Sequence, residues 1–123
     1  MLNKKAIFEC DDIQSKEVSV PEWGGNVMVY GLTAGEKDMF ETSLVNDKKV
    51  DLKDATAKLC VLCIRDGNGD RIFTDIDIEK LSGKSGKALK RVYEVAESLS
   101  GLARGDVEEI VKNSEKTQTD VSS

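Results

Sequence analysis

The chain has 123 residues, 18 Lys+Arg against 23 Asp+Glu and no histidine, giving a formal charge of −5 at neutral pH with a third of the residues charged. This length lets one domain bury a core without staples, no stretch approaches the roughly 18 consecutive apolar residues of a membrane span, and the first nine residues lack a signal peptide's apolar run. The chain therefore reads as a soluble cytosolic protein, and the absence of histidine removes the commonest general base, zinc ligand and pH switch together, which points away from an enzyme.

The first third reads as strands. Residues 5–10 contain the short apolar run Ala6-Ile7-Phe8, and Glu17-Val18-Ser19-Val20 alternates with the period of two that a half-buried strand requires. Pro21 cannot donate to a ladder and Gly24-Gly25 supplies positive φ, so the Pro21-Glu22-Trp23-Gly24-Gly25 stretch turns the chain and returns residues 26–30 as an antiparallel partner. Val18 and Val20 then face Val27 and Val29, in a hairpin or three-stranded meander over about residues 5–31. Met28 and Tyr30 fall on the opposite face, which is not plainly polar.

Thr33 and Glu36 form a capping box, so a helix begins at Ala34 and runs to about Val45. After the polar connection Asn46-Asp47-Lys48-Lys49, a second helix is expected from near Asp51, with Leu52, Ala55, Leu59, Leu62 and Cys63 at helical spacing. Residues 59–64 are continuously apolar and suit a buried helix or a buried strand; the lead-in from Leu52 favours helix. Asp66-Gly67-Asn68-Gly69-Asp70 is a loop, and Thr74 caps a short helix carrying Ile76, Ile78 and Leu81. Ser85 opens a longer helix with Leu89, Val92, Ala96 and Leu99 on one face, ended by Gly101. Asp106 and Glu109 cap a last helix over 107–113, and the polar residues 114–123 bury nothing and are expected to be disordered. The expected architecture is α+β, a small N-terminal antiparallel β-hairpin or meander followed by four to five α-helices, with one domain over 1–113 and a tail over 114–123.

Charge is unevenly placed. Residues 79–91 carry Lys80, Lys84, Lys87, Lys90 and Arg91 against one acid, a net +4 between segments of −5 (1–78) and −4 (92–123). The island is narrow, has only Tyr93 beside it and is flanked by acid, which argues against nucleic acid. It reads either as a solvated helix face or as a surface for an acidic partner or a neighbouring copy.

Cys60-Val61-Leu62-Cys63 has the spacing of a redox pair or half a zinc site. It lies inside an apolar run, with Cys10 the only other thiol, and reads as buried small hydrophobes. Asp66, Asn68, Asp70 and Asp77 occupy positions 1, 3, 5 and 12 of a calcium loop, but Arg71 replaces the required Gly and Asp77 the bidentate Glu. The stretch reads as an Asx turn, with a calcium-responsive module as the alternative. Gly83-Lys84-Ser85 lacks the first Gly and the strand of a phosphate-binding loop, and Asp75 and Asp77 belong to a helix start. No catalytic, metal or cofactor set emerges. Trp23 either caps the end of the core or projects as a partner anchor. The candidate partner-binding residues are Trp23, Met28, Tyr30, Lys84, Lys87 and Arg91.

The order Lys16-Glu17-Val18-Ser19-Val20-Pro21-Glu22-Trp23-Gly24-Gly25, then Tyr30-Gly31-Leu32-Thr33 with Glu36 and Asp38, Asp66-Gly67 leading to Ile72-Phe73, Leu81 with Lys84-Ser85 and Ala88-Leu89, and Lys112-Asn113-Ser114, resembles the tail assembly chaperones of long, non-contractile-tailed bacteriophages and their prophages. The likeness covers about residues 4–115, and its most specific piece is residues 20–25. It implies a non-enzymatic assembly factor of the host bacterial cytoplasm, absent from the mature virion, that coats the tape measure protein, recruits tail tube protein and self-associates into an oligomer, ring or helical array. Nucleic acid, membrane and cofactors are not among the implied partners. In such phages a ribosomal frameshift often yields an extended form, and this chain looks like the unextended product. A structural tail or connector protein retained in the virion is the other alternative.

Overall fold

In the computed structural model, which describes residues 1–102, the chain begins with a short helix, α1 (Lys4–Glu9). This overturns the strand expected over 5–10. The Asn3 side chain accepts the Ala6 N–H at 2.9 Å and caps a helix, whereas three apolar residues are too few to establish an alternating strand. Helix α1 buries none of its residues.

Strands β1 (Ser15–Val20) and β2 (Gly25–Tyr30) pair antiparallel, with Val18 opposite Val27 and Val20 opposite Gly25. Opposed residues share a face, so Val18, Val20, Val27 and Val29 all point to the core, as alternation predicts. Between the strands Pro21–Trp23 forms a 3-10 turn. Pro21 sits at its first position, where an N–H is dispensable, and Gly24, at φ +76°, ends it by donating to the Pro21 carbonyl at 3.0 Å.

Helix α2 (Ala34–Ser43) starts at the expected capping box: the Glu36 N–H donates to Thr33 Oγ1 at 3.2 Å and the Thr33 N–H to Glu36 Oε1 at 3.0 Å. The polar connection after it is a small hairpin of β3 (Val45–Asn46) and β4 (Lys49–Val50), with Asp47 and Lys48 both at positive φ as a tight primed turn requires. Helix α3 (Ala55–Cys63) begins four residues later than the sequence suggests. Asp51 is held in a turn, accepting the Lys53 N–H on its side chain and donating its own N–H to the Leu44 carbonyl. From Leu59 to Cys63 every residue of α3 is buried, which makes it the central helix.

The apolar run then changes character. Cys63 closes α3, and β5 (Ile64–Arg65) joins the sheet against β2, with Ile64 opposite Val29 and Arg65 opposite Met28. The third strand therefore comes from the far side of α3, and the sheet order is β1-β2-β5. After the Asp66–Asp70 loop, a 3-10 turn (Asp75–Asp77) leads into α4 (Ile78–Ser82), and α5 (Gly86–Ser100) follows, with Ser85 Oγ accepting the Ala88 N–H and Gly101 at φ +69° terminating it. Ala88, Leu89, Val92 and Ala96 form the buried stripe of α5, which packs against α3, β1 and β2. Among the described residues no helix is long and apolar enough to cross a membrane. The helix expected over 107–113 and the tail over 114–123 lie outside the described residues.

Candidate functional site

The hairpin tip and the basic island, far apart in sequence, meet in space. Arg91, on α5, donates from Nη1 to Glu22 Oε1 at 2.8 Å and from Nη2 to Oε2 at 3.0 Å, a two-pronged charge-assisted contact between the 3-10 turn and the helix. The Arg91 hydrogen bond, with Glu22's own backbone N–H, holds the Glu22 carboxyl down from 4.5 to about 2, and nearby Lys87 adds in the same direction. Arg91 is thus an internal tie, not the projecting cation that the island suggests.

With the tip held there, an open groove of about 740 Å³ runs beside it. Trp23, Phe73 and Leu81 make its apolar lining, Trp23 and Phe73 half-buried and Leu81 buried. Trp23 packs against the core with one part, as the capping role requires, and borders the groove with another. Lys80 and Lys84 stand along the groove as exposed lysines.

The acids here are already engaged. Glu22 is held by Arg91, and Asp77 Oδ2 accepts the Thr74 N–H at 2.9 Å as the cap of the 3-10 turn before α4. Among the described residues Lys80, Lys84, Lys87 and Lys90 enter no ion pair, whereas Arg91 does. The groove therefore offers an apolar floor bordered by Lys80 and Lys84, which enter no ion pair among the described residues, and by the hydrogen-bonded carboxylates of Glu22 and Asp77.

Of the six residues singled out in the sequence, Trp23 and Lys84 line this groove, while Lys87 and Arg91 flank it through Glu22. Met28 and Tyr30 lie elsewhere, half-buried on the outer face of the sheet. There the Arg65 guanidinium sits 5.7 Å over the Tyr30 ring, donates to Glu36 Oε2 at 2.8 Å and to the Gly69 carbonyl at 3.1 Å, and so locks sheet, α2 and loop together. Phe73, Leu81 and Glu22 complete the groove and were not among the sequence candidates. The adjacency of Glu22 to Trp23 was the sole local cue, since Phe73 and Leu81 reach Trp23 through the fold.

The tempting motifs resolve into structure. Cys60 and Cys63 are buried and free, and burial pushes both thiols up to about 12, far from the reactive range. Asp66 Oδ1 accepts the Asn68 and Asp70 amides at 2.8 and 3.0 Å, so its carboxylate is turned into its own loop as an Asx turn. Among the described residues no group of three or more His, Cys, Asp or Glu is arranged to hold a metal ion.

No protein-family model and no curated protein sequence matches the chain. Among solved structures it is similar to the tail assembly chaperone of bacteriophage HK97, with a TM-score of 0.58 at 19% identity over 77% of this chain and 94% of that one. The α+β chain described above thus shares the fold of the HK97 tail assembly chaperone.

Proposed function

We propose that this chain is a non-enzymatic phage tail assembly chaperone that binds and coats the tape measure protein in the host bacterial cytoplasm, helps recruit tail tube subunits, and leaves before the virion is complete. The observation that carries this reading is the fold likeness to the HK97 chaperone, which extends over 94% of that protein. The residue 20–25 signature agrees with it, because Pro21, Glu22, Trp23 and Gly24 build the hairpin tip and its tie to α5.

A protein that coats a long helical substrate needs two kinds of contact, one to the substrate and one between neighbouring copies. The groove beside Trp23, with Lys80 and Lys84 along it and Lys87 and Arg91 flanking it, is assigned to contact between copies. The outer sheet face around Met28 and Tyr30 is assigned to the tail protein.

The experiment is genetic and compositional. Disrupting the gene in its phage or prophage, with and without complementation, should abolish tails while leaving heads intact, and mass spectrometry of mature particles should find no copy of this chain. Normal tails in the disrupted strain, or stoichiometric retention in particles, would contradict the reading, and retention would favour a structural connector.

A further inference from the structure

We infer that the groove beside Trp23 receives helix α1 of a second copy of this chain, so that copies link arm into groove. The inference deepens the coating function proposed above and rests on it for its biological setting, although the contact itself requires no phage partner.

Helix α1 carries apolar side chains with nothing beneath them. Ile7 and Phe8 are 54% and 77% exposed, Leu2 just before the helix is 74% exposed, and the helix buries no residue of its own. A short amphiphilic helix of this kind gains most of its stability from whatever covers it. The groove supplies matching apolar surface in Trp23, Phe73 and Leu81, and its volume of about 740 Å³ has room for more than one apolar side chain.

Charge matches in the same direction. Immediately after Phe8 come Glu9, Asp11 and Asp12; Glu9 pairs with Lys5 of its own helix at 4.0 Å, which leaves Asp11 and Asp12 as the arm's acids without an ion pair among the described residues. The groove's own acids are engaged, Glu22 by Arg91 and Asp77 by the Thr74 amide, while Lys80 and Lys84 are left without an ion pair among the described residues. An arm that places Phe8 and Ile7 on the apolar lining brings its acids toward those lysines.

The structure leaves the groove open to a neighbour. Helix α1 buries no residue, so the arm does not lie in the groove of its own chain. Gln14, pinned by its carbonyl to the Gly31 N–H at 2.8 Å at the end of the hairpin away from Trp23, is the point from which the arm projects. Contact of the arm with a neighbour's groove is heterologous: reciprocal exchange closes a dimer, and successive exchange builds a ring or an open array.

The test is sedimentation velocity of the purified full chain over a concentration series. The wild-type chain should self-associate, and Phe8→Asp and the double variant Lys80→Glu/Lys84→Glu should each weaken association about tenfold or more. Neither change touches the core, so both variants should keep the wild-type circular dichroism and urea midpoint. Mixing the lysine-reversed chain with a Glu9→Lys/Asp11→Lys/Asp12→Lys chain should restore association.

Exposed Cys10, at the end of α1, provides a direct report. In Lys84→Cys, mild oxidation should join the new thiol to Cys10 of another copy, with the buried Cys60 and Cys63 taking no part. A chain that stays monomeric throughout, an association unchanged by both variants, or a disulfide confined within one chain overturns the inference. None of these results bears on tape measure binding, which is read separately by co-purification.

Discussion

Gly31→Ala offers the sharpest check of the packing that joins sheet to helices. Gly31 links β2 to α2 beneath the last turn of α5, and a Cβ added there would lie 2.5 Å from the Leu99 carbonyl oxygen and 3.0 Å from its carbon. Both partners are backbone, so no side-chain rotation relieves the clash. Moving α5 away is opposed next door, where the Leu32 N–H donates to Ser100 Oγ at 3.0 Å. Overpacking of this kind costs about 1–3 kcal/mol. Losing the Leu32–Ser100 bond adds about 1 kcal/mol, for an expected loss of about 2–4 kcal/mol. Urea unfolding followed at the single Trp23 measures it, with an unchanged m-value marking a two-state comparison. Gly35→Ala is the control, since its Cβ would meet nothing within 4 Å inside the first turn of α2. That substitution should be neutral or should stabilise by up to about 1 kcal/mol. A Gly31→Ala loss below about 0.5 kcal/mol, the range of an ordinary surface change, would refute the close approach of α5.

Two further predictions concern titratable groups. A thiol reagent at neutral pH should modify Cys10 rapidly and leave Cys60 and Cys63 unmodified until the protein unfolds, since burial holds both near 12; fast labelling of all three by mass spectrometry would contradict the packing of α3. Glu22 has its folded pKa lowered from 4.5 to about 2, so its pair with Arg91 stabilises the fold above about 4.5 and that contribution is lost as pH falls through about 2. The gap in urea midpoint between wild type and Glu22→Gln should therefore be widest near neutral pH and close toward about pH 2, and parallel pH profiles would show that the pair does not form in solution.

Local signals in this chain were readable, and non-local ones were not. The Thr33–Glu36 box and the Ser85 cap are satisfied by residues three positions away, so their helices begin where the sequence places them. The Val18, Val20, Val27 and Val29 alternation likewise fixes the inner face of a hairpin whose turn chemistry is explicit. Residues 5–10 misled because Ala6-Ile7-Phe8 is too short to show a period, and the Asn3 cap decides for helix. The third strand was hidden because Ile64 and Arg65 continue an apolar helix without a break, and only pairing with β2 distinguishes them. Asp47-Lys48 makes a primed turn without the glycine that normally advertises one. The groove was half legible: Trp23 and the lysines stood out as residue types, but their meeting depends on Arg91 reaching Glu22 across 69 positions, and on Phe73 and Leu81 arriving from other segments.

The central claim is that this chain binds a tape measure protein, and co-expression tests it most directly. On the proposed reading, the tape measure protein of the same phage should be largely insoluble when expressed alone and should become soluble and co-purify when this chain is present, with several copies bound to each tape measure molecule. A tape measure protein that stays insoluble in the presence of excess folded chain, or a soluble one that does not retain the chain on an affinity column, would contradict the account.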